Sequence, residues 1–89
     1  MKNMTLANIA AACGGIYHGK EEDRNKEVLS ITTDSRKAEP GSLFIAIRGE
    51  RVDGHDFVDS VFEKGALCVL SEQELPEAKG NYILTESTL

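Results

Sequence analysis

Residues 42–71, SLFIAIRGERVDGHDFVDSVFEKGALCVLS, carry the clearest structural patterns in the chain. The run SLFIAI is almost continuously apolar, which is typical of a strand that is covered on both faces of a sheet. GHDFVDSVFEKG then places its apolar residues at helical spacing and ends at Gly65, and ALCVLS has the composition of a second buried strand. A strand, a helix and a strand in this order predict a right-handed crossover between parallel strands.

The segments on either side complete a small domain. TLANIAAACGG predicts a helix that Thr5 caps and that Gly14 and Gly15 end. KEEDRNKE has seven charges in eight residues and predicts a polar surface loop without an apolar anchor. Further strands are predicted in IYHG, VLSITT and NYILT. We therefore predict an α/β fold, a single-domain sandwich with a small mixed sheet of about four to five strands and two main helices.

Composition excludes several classes of partner. The chain has 89 residues and a net charge of −5, which argues against general nucleic-acid binding. No apolar run is long enough for a membrane span or a signal peptide, so we expect a cytoplasmic protein without a membrane partner. Cys13 and Cys68 each lie in an apolar stretch and are predicted to be buried free thiols. No Cys/His cluster suggests a metal site.

The candidate catalytic motifs in the sequence are incomplete. GGIYHGKE has the glycine and lysine spacing of a phosphate-binding loop, but Glu21 stands where a magnesium-binding hydroxyl is needed, and the segment follows a helix. His55 lies between two aspartates, where a turn and helix start explain the pattern better than catalysis. Ser35 has no activating base nearby in sequence. We therefore predict no catalytic residue, no metal and no bound cofactor in this chain.

The polar stretch TTDSRKAEPG, residues 32–41, favours ligand binding instead. Loops that leave the strands of an open α/β sheet commonly hold ligands. Ser35 supplies a hydroxyl and Arg36 a planar fork that matches phosphate oxygens. A second loop, RGERVDGH, adds further arginines and backbone donors. Together they predict a shallow site for a small phosphate-bearing molecule, in which Asp34 either faces the ligand or braces its own turn.

Two blocks in this region, DSRKAEPGSLFIAIRG and DGHDF, resemble those of the N-terminal domain of the Mur ligases. The resemblance covers nearly the whole chain. LANIAAACGG and GERVDGHDF resemble most closely the branch that adds D-alanyl-D-alanine to UDP-N-acetylmuramoyl-tripeptide. The sister branch, which adds meso-diaminopimelate or L-lysine, is the nearest alternative.

The resemblance implies a function in the bacterial cytoplasm, in peptidoglycan synthesis. It implies a three-domain enzyme in which residues 1–89 hold the UDP-N-acetylmuramoyl-peptide. The central and C-terminal domains, absent from this chain, would bind ATP with magnesium and the incoming amine. The isolated domain would then be inactive as a ligase.

The resemblance also implies which residues contact the UDP moiety. Positions of the DSR element match those near the diphosphate and ribose, and positions of the second loop match those that border the uracil. The implied substrate-binding residues are Thr33, Ser35, Arg36, Gly49, Glu50, Arg51, Val52 and His55. Two other classes remain open at this point, a free-standing nucleotide-sugar-binding module and a small interaction domain without a ligand.

Overall fold

The computed structural model describes residues 4–46, 57–75 and 80–86. These residues form a five-stranded sheet with two α-helices and two short 3₁₀ turns. The helices are α1 (Leu6–Cys13) and α2 (Val58–Glu63); the strands are β1 (Ile16–His18), β2 (Ser30–Thr32), β3 (Ser42–Ile45), β4 (Cys68–Ser71) and β5 (Asn81–Leu84). The 3₁₀ turns are Glu21–Asp23 and Ser35–Lys37.

The sheet is mixed, with the strand order β1-β5-β4-β3-β2. The four strands from β2 to β5 are parallel, and β1 pairs antiparallel with β5 at one edge. β3 and β4 are adjacent and parallel with α2 between them in the chain, which confirms the predicted order of strand, helix and parallel strand. The predicted strand count and two-helix composition are confirmed as well.

Both faces of the sheet are covered, because neighbouring residues of the central strands point to opposite sides. Leu43 of β3 packs into a core with residues of α1, whereas Phe44 packs into a second core with Val58 and Val61 of α2. The α1-side core comprises Leu6, Ile9, Ala10, Val28, Leu43, Cys68, Leu70 and Ile83. These two cores explain why the sequence of β3 is almost continuously apolar, as predicted for a strand covered on both faces.

The ends of α1 follow the sequence signals. The Thr5 side chain accepts a hydrogen bond from the Asn8 amide at 3.1 Å, so Thr5 is the N-cap. Gly14 has a φ of 68°, a left-handed conformation that glycine adopts without a Cβ penalty, and its N–H reaches the last carbonyls of the helix. Gly14 therefore ends a helix rather than opening a phosphate-binding loop, and the next residues form β1.

The polar segment KEEDRNKE has no apolar anchor among its side chains, as predicted, but it does have a polar one that was not predicted. Asp23, at the end of a 3₁₀ turn, is 8% exposed. Its carboxylate accepts hydrogen bonds from Lys26 Nζ at 2.7 Å and from Asn81 Nδ2 at 2.9 Å. The anchor is a buried polar contact to β5, which a search for apolar residues does not detect.

The two cysteines also differ from each other. Cys68 in β4 is fully buried, and burial raises the pKa of its thiol to about 12. Cys13 is exposed, so the prediction of two buried thiols is wrong for this residue. Cys13 shares the helical spacing of the buried Leu6, Ile9 and Ala10, but it is the last residue of α1, directly before the C-cap Gly14. Both cysteines are free thiols.

Candidate functional site

The candidate site begins where β2 ends. The connection from β2 to the parallel β3 comprises only residues 33–41. It is shorter than the usual helical crossover between parallel strands. A single 3₁₀ turn replaces the helix, and we call residues 34–37 the DSRK turn. The carboxyl ends of parallel strands lie at one edge of a sheet, so this connection leaves from the edge where α/β folds commonly bind ligands.

Asp34 organises the DSRK turn. Its side chain caps the 3₁₀ turn by accepting a hydrogen bond from the Arg36 amide, at 2.9 Å to Oδ1. The Arg36 guanidinium also donates to both carboxylate oxygens, from Nε to Oδ1 at 3.1 Å and from Nη2 to Oδ2 at 2.9 Å. These hydrogen bonds lower the pKa of Asp34 to about 2, and the same contact raises the pKa of Arg36. The predicted bracing role of Asp34 is thus the one observed.

The hydroxyl groups before and within the DSRK turn have different roles. The Thr32 hydroxyl accepts the Asp34 N–H at 3.0 Å and lies 3.2 Å from the Asp34 carbonyl, to which it donates, so it is engaged locally. Within the described ranges, no hydrogen bond is made by the hydroxyl of Thr33 or of Ser35. Thr33 is exposed and Ser35 is partly buried, so these two hydroxyls are the ones available to a ligand.

α2 supports the turn from outside. Lys64, which follows the last residue of α2, donates a hydrogen bond from Nζ to the Ser35 carbonyl at 2.8 Å. The Ser35 carbonyl also accepts the Ala38 N–H at 3.4 Å, which closes the 3₁₀ turn. Lys64 is not among the predicted site residues. Ser35 and Lys64 are 29 positions apart in the chain, so sequence spacing alone does not predict their contact.

The structure therefore brings three of the predicted site residues, Thr33, Ser35 and Arg36, onto one short connection. The remaining predicted contacts lie outside the described residues, and their part in a site stays a prediction; they are Gly49, Glu50, Arg51, Val52 and His55. The chain enters that segment from Ala46, which directly follows β3 and hydrogen-bonds through its N–H to the Leu70 carbonyl at 3.0 Å. β3 is the neighbour of β2, so both loops start from adjacent strands.

A cavity of about 310 Å³ opens near the start of β4 and β5, at the opposite edge of the sheet. Its buried polar groups already bond to one another, since Asn81 contacts Asp23 and also donates to the Leu67 carbonyl at 3.1 Å. These buried polar groups therefore stabilise the fold. Among the described helices, none has the length and apolar character that crossing a membrane requires.

Comparison with known proteins identifies relatives of this chain. The family model described as "Mur ligase family, catalytic domain" matches residues 27–86. The UDP-N-acetylmuramoyl-tripeptide–D-alanyl-D-alanine ligase of Bacillus subtilis is 36% identical over 91 residues, covering 100% of this chain and 20% of that protein. The UDP-N-acetylmuramoyl-L-alanyl-D-glutamate–2,6-diaminopimelate ligase of Listeria innocua is 51% identical over 60 residues, covering 67% of this chain and 12% of that protein.

Solved structures have the same fold. A crystal structure of MurF from Acinetobacter baumannii superposes with a TM-score of 0.83 at 33% identity, over 94% of this chain and 18% of that one. MurF from Thermotoga maritima, solved in complex with ADP, gives a TM-score of 0.60 at 30% identity, over 66% of this chain and 14% of that one. The chain thus spans about a fifth or less of the length of these relatives. The match over residues 27–86 includes the DSRK turn and every strand from β2 to β5, and it shows that the chain belongs to the Mur ligase family.

Proposed function

We propose that this chain is the N-terminal substrate-binding domain of a Mur ligase, and that it holds the UDP part of UDP-N-acetylmuramoyl-tripeptide. The observation that carries the proposal is the DSRK turn, where Arg36 has an 86% exposed side chain on a turn that Asp34 caps and Lys64 supports. A guanidinium fixed beside free hydroxyls suits the oxygens of a diphosphate.

We further propose that the complete enzyme adds D-alanyl-D-alanine. The Bacillus subtilis relative matches this chain from end to end, whereas the diaminopimelate ligases match 55% to 82% of it. The Acinetobacter MurF structure covers 94% of the chain. Diaminopimelate ligases reach higher identity over their shorter matches, so the sister activity is the second candidate.

In this proposal ATP and magnesium bind elsewhere in the complete enzyme, and residues 1–89 alone are inactive as a ligase. The one sequence that resembled a phosphate-binding loop supports this division, because Gly14 ends α1 and the Lys20 N–H is bonded to Asn81 Oδ1 at 2.9 Å. The central and C-terminal domains are its proposed partners, and the cytoplasm its proposed location.

The first prediction tests the ligand. Titration of the 89-residue chain with UDP, and then with UDP-N-acetylmuramoyl-tripeptide, should shift the backbone amide resonances of the DSRK turn. Arg36→Ala should weaken binding about tenfold, because it removes charge-assisted hydrogen bonds to phosphate. Lys37→Ala is the matched control, since it removes a neighbouring exposed positive charge without removing the fork.

Unchanged turn amides at millimolar UDP would overturn the binding assignment. Equal losses in Arg36→Ala and Lys37→Ala would show that only general positive charge matters. The branch of the family needs a separate measurement: the complete enzyme, supplied with ATP, should couple D-alanyl-D-alanine to the tripeptide substrate. Coupling of meso-diaminopimelate or lysine to the dipeptide substrate would favour the sister activity.

A further inference from the structure

The Asp34–Arg36 contact uses only one edge of the guanidinium. An arginine side chain carries five N–H donors in a planar fork. Asp34 engages the edge formed by Nε and Nη2, at 3.1 and 2.9 Å. The edge formed by Nη1 and Nη2 stays outside this contact, and the side chain as a whole is 86% exposed. A second oxyanion can therefore bind end-on while Asp34 remains bound side-on.

Asp34 is itself fixed. It is 29% exposed, its N–H is bonded to the Thr32 hydroxyl at 3.0 Å, and its carboxylate caps the turn through the Arg36 amide. The Arg36 guanidinium is thus linked to the backbone of its own turn through Asp34, whose short side chain has little conformational freedom. An untethered arginine on this surface would lose much more rotamer freedom when it bound a ligand.

We propose that Asp34 is a positioning residue for the nucleotide site, which holds Arg36 so that its free edge faces the diphosphate. The inference rests on the function proposed above and adds a residue that does not contact the ligand. Asp34 aligns the fork before binding and keeps the cap of the turn closed. Its negative charge alone would repel a diphosphate, so any benefit to binding has to arise through Arg36.

A double-mutant cycle tests this on the 89-residue chain with UDP as the probe. Asp34→Asn keeps an oxygen that can cap the turn but loses the charge-assisted grip on Arg36. We expect Asp34→Asn to weaken UDP binding about three- to tenfold, because the fork must then be ordered on binding. In an Arg36→Ala background, the same substitution should have no further effect.

Glu39→Gln is the control for charge. It removes one negative charge from the same connection, but its carboxylate accepts a hydrogen bond from the Ser30 hydroxyl at 3.1 Å instead of contacting Arg36. We expect Glu39→Gln to leave UDP binding unchanged or slightly tighter. Relaxation of the Arg36 Nε–H resonance supplies an independent readout: it should report an ordered side chain in the unliganded wild type and a mobile one in Asp34→Asn.

The outcomes separate the two proposals. Tighter UDP binding in Asp34→Asn would make Asp34 a competitor of the ligand and overturn the inference. A loss that persists in the Arg36→Ala background, or an Arg36 Nε–H that is equally mobile with and without Asp34, would also overturn it while leaving the binding function intact. Failure of the wild type to bind UDP, or binding unaffected by Arg36→Ala, would overturn the role of Arg36 in the proposed function, and this inference with it.

Discussion

Asn81 connects three parts of the chain through one buried side-chain amide. Its Oδ1 accepts the Lys20 N–H at 2.9 Å, and its Nδ2 donates to Asp23 Oδ2 at 2.9 Å and to the Leu67 carbonyl at 3.1 Å. Each of these bonds ties a loop to the start of β5. Leaving buried polar groups of this kind unpaired costs free energy. The three hydrogen bonds of Asn81 therefore favour the loop conformations that preserve them.

The second prediction follows from the carboxylate in this network. Hydrogen bonds from Lys26 and from Asn81 lower the pKa of Asp23 below its usual range. The stabilisation that Asp23 supplies is therefore present above the unfolded pKa of about 3.9 and is lost as the pH falls through the folded value. Asp23→Asn should destabilise the chain at pH 7 and make its stability fall less steeply below pH ~4.

Urea denaturation at a series of pH values measures this effect. Glu22→Gln is the matched control, because Glu22 is the exposed neighbour on the same 3₁₀ turn. Asp34 also has a lowered pKa, so part of the acid sensitivity should remain in Asp23→Asn. If the two variants had the same pH profile, Asp23 would not be the anchor described above.

At the scale of single residues, the sequence indicated the ligand-facing groups better than their supports. Ser35 and Arg36 were predicted because a hydroxyl and a planar cation in a loop after a strand suit phosphate. Lys64 was missed because its contact with Ser35 depends on how α2 packs against the turn. Asp23 was missed because its partner, Asn81, lies in a distant strand.

At the scale of elements, α2 and the DSRK turn form one unit. Lys64 Nζ holds the Ser35 carbonyl, and Gly65 continues the contact, since its carbonyl accepts the Gly41 N–H at 3.2 Å. Gly65 has a φ of 93°, a backbone conformation that residues with a Cβ rarely adopt. The end of α2 thus supports both ends of the short crossover between β2 and β3.

The third prediction concerns this support. Lys64→Met keeps the aliphatic stem but removes the donor, so the amides of residues 36–38 should exchange with solvent faster. UDP binding should weaken by about two- to threefold, because the turn is less well ordered before binding. Lys20→Met is the control, since Lys20 lies between β1 and the first 3₁₀ turn and its N–H bonds to Asn81 instead of to the DSRK turn. Equal exchange of the turn amides in both variants would contradict the support role.

The helices and strands themselves could be predicted from local signals, within limits. The cap at Thr5 and the glycine at 14 fixed α1, and apolar runs located β3 and β4. The VLSITT strand is shorter than predicted, because only Ser30–Thr32 pairs with β3. Val28 is fully buried and Leu29 is 67% exposed, so apolar composition there did not distinguish a strand from the segment leading into it.

At the scale of the whole molecule, one sheet is shared by two cores. Leu43 and Phe44 are consecutive residues of β3, are 2% and 1% exposed, and belong to the α1-side and α2-side cores respectively. A strand that supplies both cores links their stability, because neither core can open without loss of the same strand pairing.

The fourth prediction tests this linkage. Leu43→Ala and Phe44→Ala should each lower the free energy of unfolding by about 2–5 kcal/mol, since each leaves a cavity in a well-packed core. Both variants should still unfold in one transition, with coincident far-UV circular dichroism and tyrosine fluorescence. Ile31→Ala is the control, because Ile31 is 40% exposed on the edge strand and should cost less than about 1 kcal/mol. Separate transitions would mean that the two faces fold independently.

The antiparallel pairing of β1 has a consequence for the order in which contacts can form. The parallel pairs β2–β3, β3–β4 and β4–β5 each join strands that follow one another along the chain, whereas β1 pairs with β5, its most distant partner in sequence. Closing that longest loop costs the most chain entropy of any strand pair in the described sheet. The parallel part of the sheet, including the connection that carries the DSRK turn, can therefore assemble stepwise before β1 pairs with β5.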